Sequence, residues 1–371
     1  MPPAAEMRAG VAAQPWVLLS ALAAAALLAT AASAHGGRMV ALLALGALLG
    51  ATFYLASFGF ASAYRRLIEE RDVAGVRAQL LMLAAASVLF APVLAQQPGS
   101  GAVAPAGAQV AIGAFLFGIG MQFAGGCGSG TLYTVGGGQL RMAIVLAAFI
   151  AGSFWASLHM NSWSSLPALE ATRLGDELGW PGAVGLQLAV LAVLYVLLGK
   201  LGKRGAGVPS RALAAGALIL AGLNLLTLVV AGHPWSITWA FALWGAKVAR
   251  SFGWDPGGDP FWSAGFQSDA LEASVFADVT SVMDFGLVLG AFAAAGFAGG
   301  FWLRYRISLR AVLTAALGGL AMGYGARIAY GCNIGAFFSG VASTSLHGWL
   351  RIAAALPGCW VGLRLLRRVE P

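Results

Sequence analysis

Two of the three cysteines in this 371-residue chain occupy the same slot in matching glycine frames. "GIGMQFAGGCGSG" runs from Gly118 to Gly130 and "GYGARIAYGCNIG" from Gly323 to Gly335, so that Cys127 and Cys332 share the frame G-x-G-x5-G-C-x2-G. A thiol in apolar surroundings keeps its proton and offers a weak S–H donor. That donor suits a soft, sulfur-bearing anion, whereas a serine hydroxyl suits a harder, hydrated oxyanion. As thiolates, the same groups would attack sulfur covalently, which is redox or sulfurtransfer chemistry. Gly126, Gly128, Gly331 and Asn333 flank the thiols, and glycine lets backbones approach closely there. Arg327 lies in an apolar stretch shortly before Cys332, where a charge is costly and marks a site for an anion. Asp284 is a second costly charge, read as a proton site, as a partner for a buried Arg, or as simple packing. Cys359, in "LPGCWVG", lacks a matching frame and reads as packing before site.

The elements that must position these groups are bounded by composition. The chain is 59% hydrophobic and 10% charged, against roughly 45–50% and 25% in soluble domains, so no water-facing surface could cover it. Apolar runs recur from end to end, each long enough to cross about 30 Å of hydrocarbon. Continuous runs rather than alternation exclude a β-barrel, which leaves an all-α polytopic membrane protein. The net charge of +8 is divided among short clusters between runs, which excludes nucleic acid as a partner and reads as a topology signal. Widely separated cysteines without CxxC or nearby histidines indicate neither zinc, nor a disulfide framework, nor any cofactor. The triplet Gly136-Gly137-Gly138 follows no strand and precedes no Gly-Lys-Ser/Thr, so it is not a phosphate loop. His35, His159, His233 and His347 fall near span ends and read as structural.

About ten spans are expected, beginning near Trp16, Met39, Arg77, Ala108, Arg141, Pro181, Arg211, Thr280, Leu309 and Trp349. The first, with Arg8 before it and Ala32-Ser33-Ala34 after it, also fits a cleavable signal peptide. Basic loops at Arg65-Arg66 to Arg77, Lys200 to Arg211 (with Lys203 and Arg204), Arg304 to Arg310, and the tail with Arg364, Arg367 and Arg368 belong in the cytoplasm. Threading works if the Trp-rich stretch from Trp235 to Arg250 does not cross. The acidic loop with Asp255, Asp259, Asp269 and Glu272 then lies outside. The span carrying Cys127 runs inward and the span carrying Cys332 outward, the pattern of an inverted-topology repeat with its site at the interface. The whole chain, 1–371, is one transmembrane domain, with a first pseudo-repeat at 16–160 and a second at 180–368. Gly, Ser and Thr after each cysteine predict re-entrant or broken helices around Cys127 and Cys332, whose N-termini would favour anions.

The stretch Gly325 to Leu350, "GARIAYGCNIGAFFSGVASTSLHGWL", with "GGCGSGTLYTVGGG", "PWSITWAFALWGAKVA" and "ADVTSVMDFGLVLGA", resembles the YeeE/YedE family of bacterial inner-membrane sulfur-compound transporters. The resemblance covers most of the chain. It implies uptake of thiosulfate through an hourglass-shaped, pseudo-symmetric fold in which thiols on two narrow loops pass the anion along by S–H to sulfur hydrogen bonds. Matched by motif, Cys127 and Cys332 are the relay thiols and Gly126, Gly128, Gly331 and Asn333 the constriction. The family pattern also implies a third relay cysteine near the outer part of the first half. There this chain reads "SFGFASAYRR", with Ala61 and Ser62, so either Cys359 substitutes or the first step of passage differs. A small cytoplasmic TusA-like sulfur carrier is implied as a partner beside membrane lipid. Three functions compete: a permease for thiosulfate or a related anion, a membrane thiol redox or sulfurtransfer protein, and a passive structural subunit. The missing CxxC and cofactor ligands argue against an enzyme, and a buried Arg327 against the passive subunit.

Overall fold

The computed structural model describes residues 12–97, 99–203, 207–303 and 307–369. Arg8, Arg204 and Arg304, used above for topology, lie outside the described residues. The first half comprises α1 (Pro15–Ser33), α2 (Gly37–Ala56), α3 (Phe60–Glu70), α4 (Ala74–Gln96), α5 (Ala108–Ala124), α6 (Gly128–Gly136) and α7 (Leu140–Ser157). Short helices α8 (Met160–Ser164) and α9 (Leu174–Leu178) lead to α10 (Trp180–Leu201), α11 (Arg211–Ala231), α12 (Thr238–Ser251) and α13 (Gly265–Glu272). Then come α14 (Val279–Phe297), α15 (Leu309–Ile328), a π-helical segment Asn333–Phe338, α16 (Ser339–Ala342) and α17 (Leu346–Val369). The one described sheet is a two-residue pairing of Ala106–Gly107 with Ala168–Leu169.

Among the described residues, ten segments are long and apolar enough to cross a membrane, and their starts fall within a few residues of those read from the sequence. The protein is therefore an all-α polytopic membrane protein. At 14 residues and about 1.5 Å per residue, α12 is too short to span, as its Trp-rich stretch predicts. Polar caps set the starts of several helices: Ser210 Oγ accepts from Leu213 N at 3.2 Å, Asp278 from Ser281 N at 2.7 Å, and Ser308 from Ala311 N at 3.2 Å. The stretch that also fits a signal peptide forms α1, which lies along α14, with Gln14 N donating to Gly296 O at 2.9 Å.

The helices pack in matched pairs. α2 lies on α14 and α4 on α11; α1 lies on α14 and α10 on α4; α7 lies on α15 and α17 on α5. The central pair, α5 and α15, pack closely on each other through glycines. A Cβ on Gly120 would stand 2.7 Å from Gly318 O, and one on Gly318 would stand 2.8 Å from Gly120 O. This is small-residue packing, in which close backbone contact supplies the dispersion attraction that lipid cannot.

Three of the basic segments meet at one end of the bundle. Lys203 N donates to Arg71 O at 3.2 Å, Arg77 donates to Gly207 O and stacks over the Tyr195 ring, and Arg367 pairs with Glu69 at 3.0 Å. The positive-inside rule assigns that end to the cytoplasm.

Candidate functional site: two thiols at facing helix N-termini

Each thiol enters through the same local construction. α5 ends at Gly125, with φ 76°, and α15 is followed by Tyr330, with φ 56°; both residues turn the chain in the left-handed region. Cys127 and Cys332 come two residues later as extended N-cap residues, at φ −102°, ψ −171° and φ −90°, ψ −164°. Their carbonyls start the next helix: Cys127 O accepts from Thr131 N at 2.7 Å, and Cys332 O from Ala336 N at 3.1 Å. Each side chain therefore sits where free N–H groups point, a setting that favours a bound anion.

The two motifs touch. A Cβ on Gly128 would stand 3.1 Å from the Cys332 Sγ, so glycine there is what lets the second thiol approach the first loop. Cys127 Sγ lies 3.4 Å from Ser129 Oγ, and Cys332 Sγ accepts from Ile334 N at 3.4 Å. Both thiols are free and buried. Gly331, at φ 148°, is required twice over, because a Cβ would also stand 2.8 Å from Ala336 N. Gly126 is less constrained, with nothing nearer than 3.6 Å to such a Cβ.

The cation at this junction is Arg351 of α17. It is fully buried, donates from Nη1 to Asn333 Oδ1 at 2.6 Å and from Nε to Gly331 O at 3.2 Å, and stacks 4.7 Å over the Phe117 ring. Its Nη2 has no hydrogen-bond partner among the described residues. Cys127, Cys332, Cys359 and Tyr64 all lie within its electrostatic reach. Asn333 is held from its other end as well, by a 3.3 Å contact from Nδ2 to Met121 Sδ. A buried guanidinium with a free N–H beside two thiols offers charge and a donor to an anion at a point where water is scarce.

A cavity of about 300 Å³ reaches the Cys127 side. It is lined by Gly59, Ala61, Ser62, Arg65 and Arg66, by Gly126, Cys127 and Gly130, and by Tyr133 and Arg141. Arg141 also donates to Phe123 O at 2.8 Å and Ala124 O at 3.0 Å, which staples the end of α5. Ala61 and Ser62, expected near the outer part of the first half, thus stand with Arg65 and Arg66 on the wall nearest the basic end. The charge rule that orients the chain makes this the cytoplasmic side of Cys127.

The other expected residues separate. Arg327 is not the cation of the junction: its guanidinium stacks 5.2 Å from the Phe261 ring, beyond the end of α15, and its Nε is unpartnered among the described residues. Cys359 is fully buried on α17, its amide N against Gly118 of α5, and near Gln122 and Arg351. Asp284 is fully buried on α14 and lines a different cavity. His347 is bound to Ser345 Oγ at 2.7 Å and packs against Gly340. The residues missed are Arg351 and its neighbour Tyr64, whose hydroxyl is also buried without a partner among the described residues. The cost rule that drew attention to Arg327 applies equally to the Arg in "HGWLRIAAALPG".

Comparison with known proteins identifies the family of the chain. A sulphur transport family matches residues 55–361. The thiosulfate transporter TsuA of Spirochaeta thermophila is 29% identical over 348 residues, covering 88% of this chain and 98% of that protein. TsuA of Escherichia coli is 25% identical over 263 residues, 67% of this chain and 72% of its own. The probable transporter YedE of Escherichia coli is 36% identical over 149 residues, 40% of this chain, and the match spans only 36% of that relative's length. With the family matched over most of its length and ten candidate spans in place, this multi-pass membrane protein belongs to the sulphur transport family.

Proposed function

We propose that this protein takes up thiosulfate, or a closely related reduced-sulfur anion, across the bacterial inner membrane, handing it between the thiols of Cys127 and Cys332. The observation that carries this reading is the contact of Gly128 with the Cys332 Sγ beside the buried Arg351. A dianion entering the junction finds one guanidinium N–H without a partner among the described residues, two S–H donors and two helix N-termini. Weak S–H donors hold sulfur loosely, which a conducting site needs, since binding must be favourable enough to enter and weak enough to leave. Arg65, Arg66 and Arg141 then receive the anion in the basic cavity on the cytoplasmic side. The matched helix pairs support two pseudo-repeats, 16–160 and 180–368, of opposite orientation, each supplying one thiol. Gly126, Gly331 and Asn333 shape the constriction, and Arg327 stands on the outer approach, where it attracts the anion. A small TusA-like carrier would collect the product at the basic face, with membrane lipid around the bundle.

Uptake of labelled thiosulfate into proteoliposomes tests the reading. Cys127→Ser and Cys332→Ser should each lower the initial rate at least about tenfold, the loss of one transition-state contact of roughly 1.4 kcal/mol. Unchanged flux in both variants would refute the relay. Persulfide on either cysteine after turnover would instead identify covalent sulfurtransfer.

A further inference from the structure

We propose that Asp284 is a proton-binding site whose occupancy is coupled to the seating of α6, the helix that begins at Cys127. This rests on the transport reading and adds its driving ion. Asp284 is fully buried, and neither carboxyl oxygen has a hydrogen-bond partner among the described residues. It faces a cavity of about 510 Å³ between α1, α6, α7, α12 and α14, with Leu132, Val135 and Gly136 of α6 opposite Phe285 and Val288 of its own helix. A bare carboxylate is strongly disfavoured in such a setting, so the carboxyl needs a cation.

Among the described residues no protein cation supplies it. α1 carries no charged residue. On α2, Arg38 is engaged with Val230 O and Ala231 O. On α12, Lys247 is bound to Leu271 O and Ala273 O, and Arg250 is paired with Glu272. On α6 the titratable group is Tyr133, stacked on Phe53, and on α7 it is Arg141, bound to Phe123 O and Ala124 O. The one ionisable group acting on Asp284 is Asp278, an anion already bonded to Trp239 and Ser281. A metal ion fits poorly, because Asp284 brings the one oxygen-bearing side chain to an otherwise apolar cavity lining, whereas hard cations take about six oxygen ligands. The proton is the cation that requires no further ligand.

The coupling arises from where α6 rests. A Cβ on Gly136 would stand 2.6 Å from Val288 O, one helical turn beyond Asp284, so α6 is seated directly on this face of α14. With Asp284 protonated, the seated arrangement buries a neutral group. Once the proton leaves, the same arrangement buries a charge, and states that admit water between α6 and α14 gain population. The carboxyl takes its proton from the outer solution and releases it to the inner one, with no other bond made or broken.

The test has two arms. In the first, infrared difference spectra of reconstituted protein should show a protonated carboxyl band near neutral pH that disappears in Asp284→Asn; no such band would overturn the proposal whether or not thiosulfate is carried. In the second, vesicles with the membrane potential clamped and the outside one pH unit more acidic should accumulate labelled thiosulfate about tenfold, one decade per proton carried. Asp284→Asn should lose that accumulation, and Asp284→Glu, for which the cavity has room, should retain it. Accumulation by Asp284→Asn equal to wild type, or none in wild-type vesicles that still equilibrate the label, would refute the coupling. If the label fails to cross wild-type vesicles at all, the substrate reading falls and the spectra still decide the proton site.

Discussion

The loops that carry Cys127 and Cys332 enter their helices at nearly the same backbone angles, yet the helices they open and the side chains around them differ. After Cys127 comes Gly128 and a regular α-helix; after Cys332 comes Asn333 and a π-helical segment, a form that concentrates at functional sites. Each loop is stapled by an Arg from the next long helix. Arg141 ties down the carbonyls at the end of α5 while facing the 300 Å³ cavity, whereas Arg351 ties down Gly331 and Asn333 from a fully buried position. The left-handed residue is glycine in the first loop and Tyr330 in the second, where a side chain makes that conformation costly, by roughly 1–2 kcal/mol. One half-site is thus strained and fully buried, while the other opens on basic side chains; under the proposed transport they would act as selector and port.

The strongest way to break that contrast is to remove Arg351. Arg351→Leu strands Asn333 Oδ1 and Gly331 O, at about 1–3 kcal/mol each, and deletes the charge beside the thiols. Uptake should fall more than about a hundredfold, over 2.7 kcal/mol of transition-state stabilisation, with a lower melting temperature. Arg141→Leu should cost much less uptake, since the cavity keeps Arg65 and Arg66. Equal losses in the two variants would abolish the distinction between selector and port. Arg351→Lys should restore most of the melting temperature but little of the flux, because an ammonium carries its donors on one atom and cannot span Asn333 and Gly331 as the guanidinium fork does while also presenting an N–H toward the thiols.

Gly128→Ala gives a smaller effect and a sharper one. Its methyl would stand 3.1 Å from the Cys332 Sγ, so uptake should slow about tenfold, while Gly126→Ala, with nothing closer than 3.6 Å, should stay within about twofold. A third comparison uses the native thiols. An anionic methanethiosulfonate reagent should label Cys127, which lines the basic cavity, several-fold faster than Cys332, with thiosulfate protecting both. Faster labelling of Cys332 from the cytoplasmic side would reverse the assignment of port and selector.

Much of the architecture was legible because lipid leaves few options: long apolar runs had to be helices, and their starts at Ala108, Arg211 and Leu309 coincide with the residues read. The glycine frame was legible as a unit but not as two devices. Its leading G-x-G is packing, with Gly118 and Gly323 against Ala355 and Phe149 and with Gly120 and Gly325 against Gly318 and Gly113. The G-C portion and Gly130, where a Cβ would stand 3.5 Å from the Cys127 Sγ, belong to the thiol junction. Arg351 was missed because an Arg two residues after Trp349 looks like an interfacial anchor at a span start; helix α17 in fact begins at Leu346 and carries that Arg inward against Phe117. Arg327 attracted attention through nearness in sequence, but a residue at the end of a helix can point away from the loop after it. The place of Ala61 and Ser62 in the cavity that Cys127 also lines depends on α3 packing against α5 and α17, contacts with no local pattern.

The smallest expected effect lies where the two halves differ most in length. Three residues, 71–73, join α3 to α4, while the corresponding α12 and α14 are separated by residues 252–278, a segment pinned to α12 by Lys247, which donates to Leu271 O at 2.7 Å and Ala273 O at 2.6 Å. A cation suits those carbonyls at the C-terminal end of α13. Burial, then the nearby Arg250, nevertheless lowers the Lys247 pKa below its ordinary 10.5. Between the lowered value and 10.5 the folded protein therefore binds fewer protons than the unfolded chain, and stability contributed by this group rises with pH through that window. The group is only partly buried, so the gain should be slight, under about 2 °C in melting temperature. In Lys247→Met that rise should vanish and proteolysis of the 252–278 segment should quicken, because two carbonyls lose their donor. A variant cut no faster than wild type would mean that the segment is held by the stack of Trp239 on Trp262, 5.8 Å between ring centres, and that Lys247 contributes nothing to the difference between the halves.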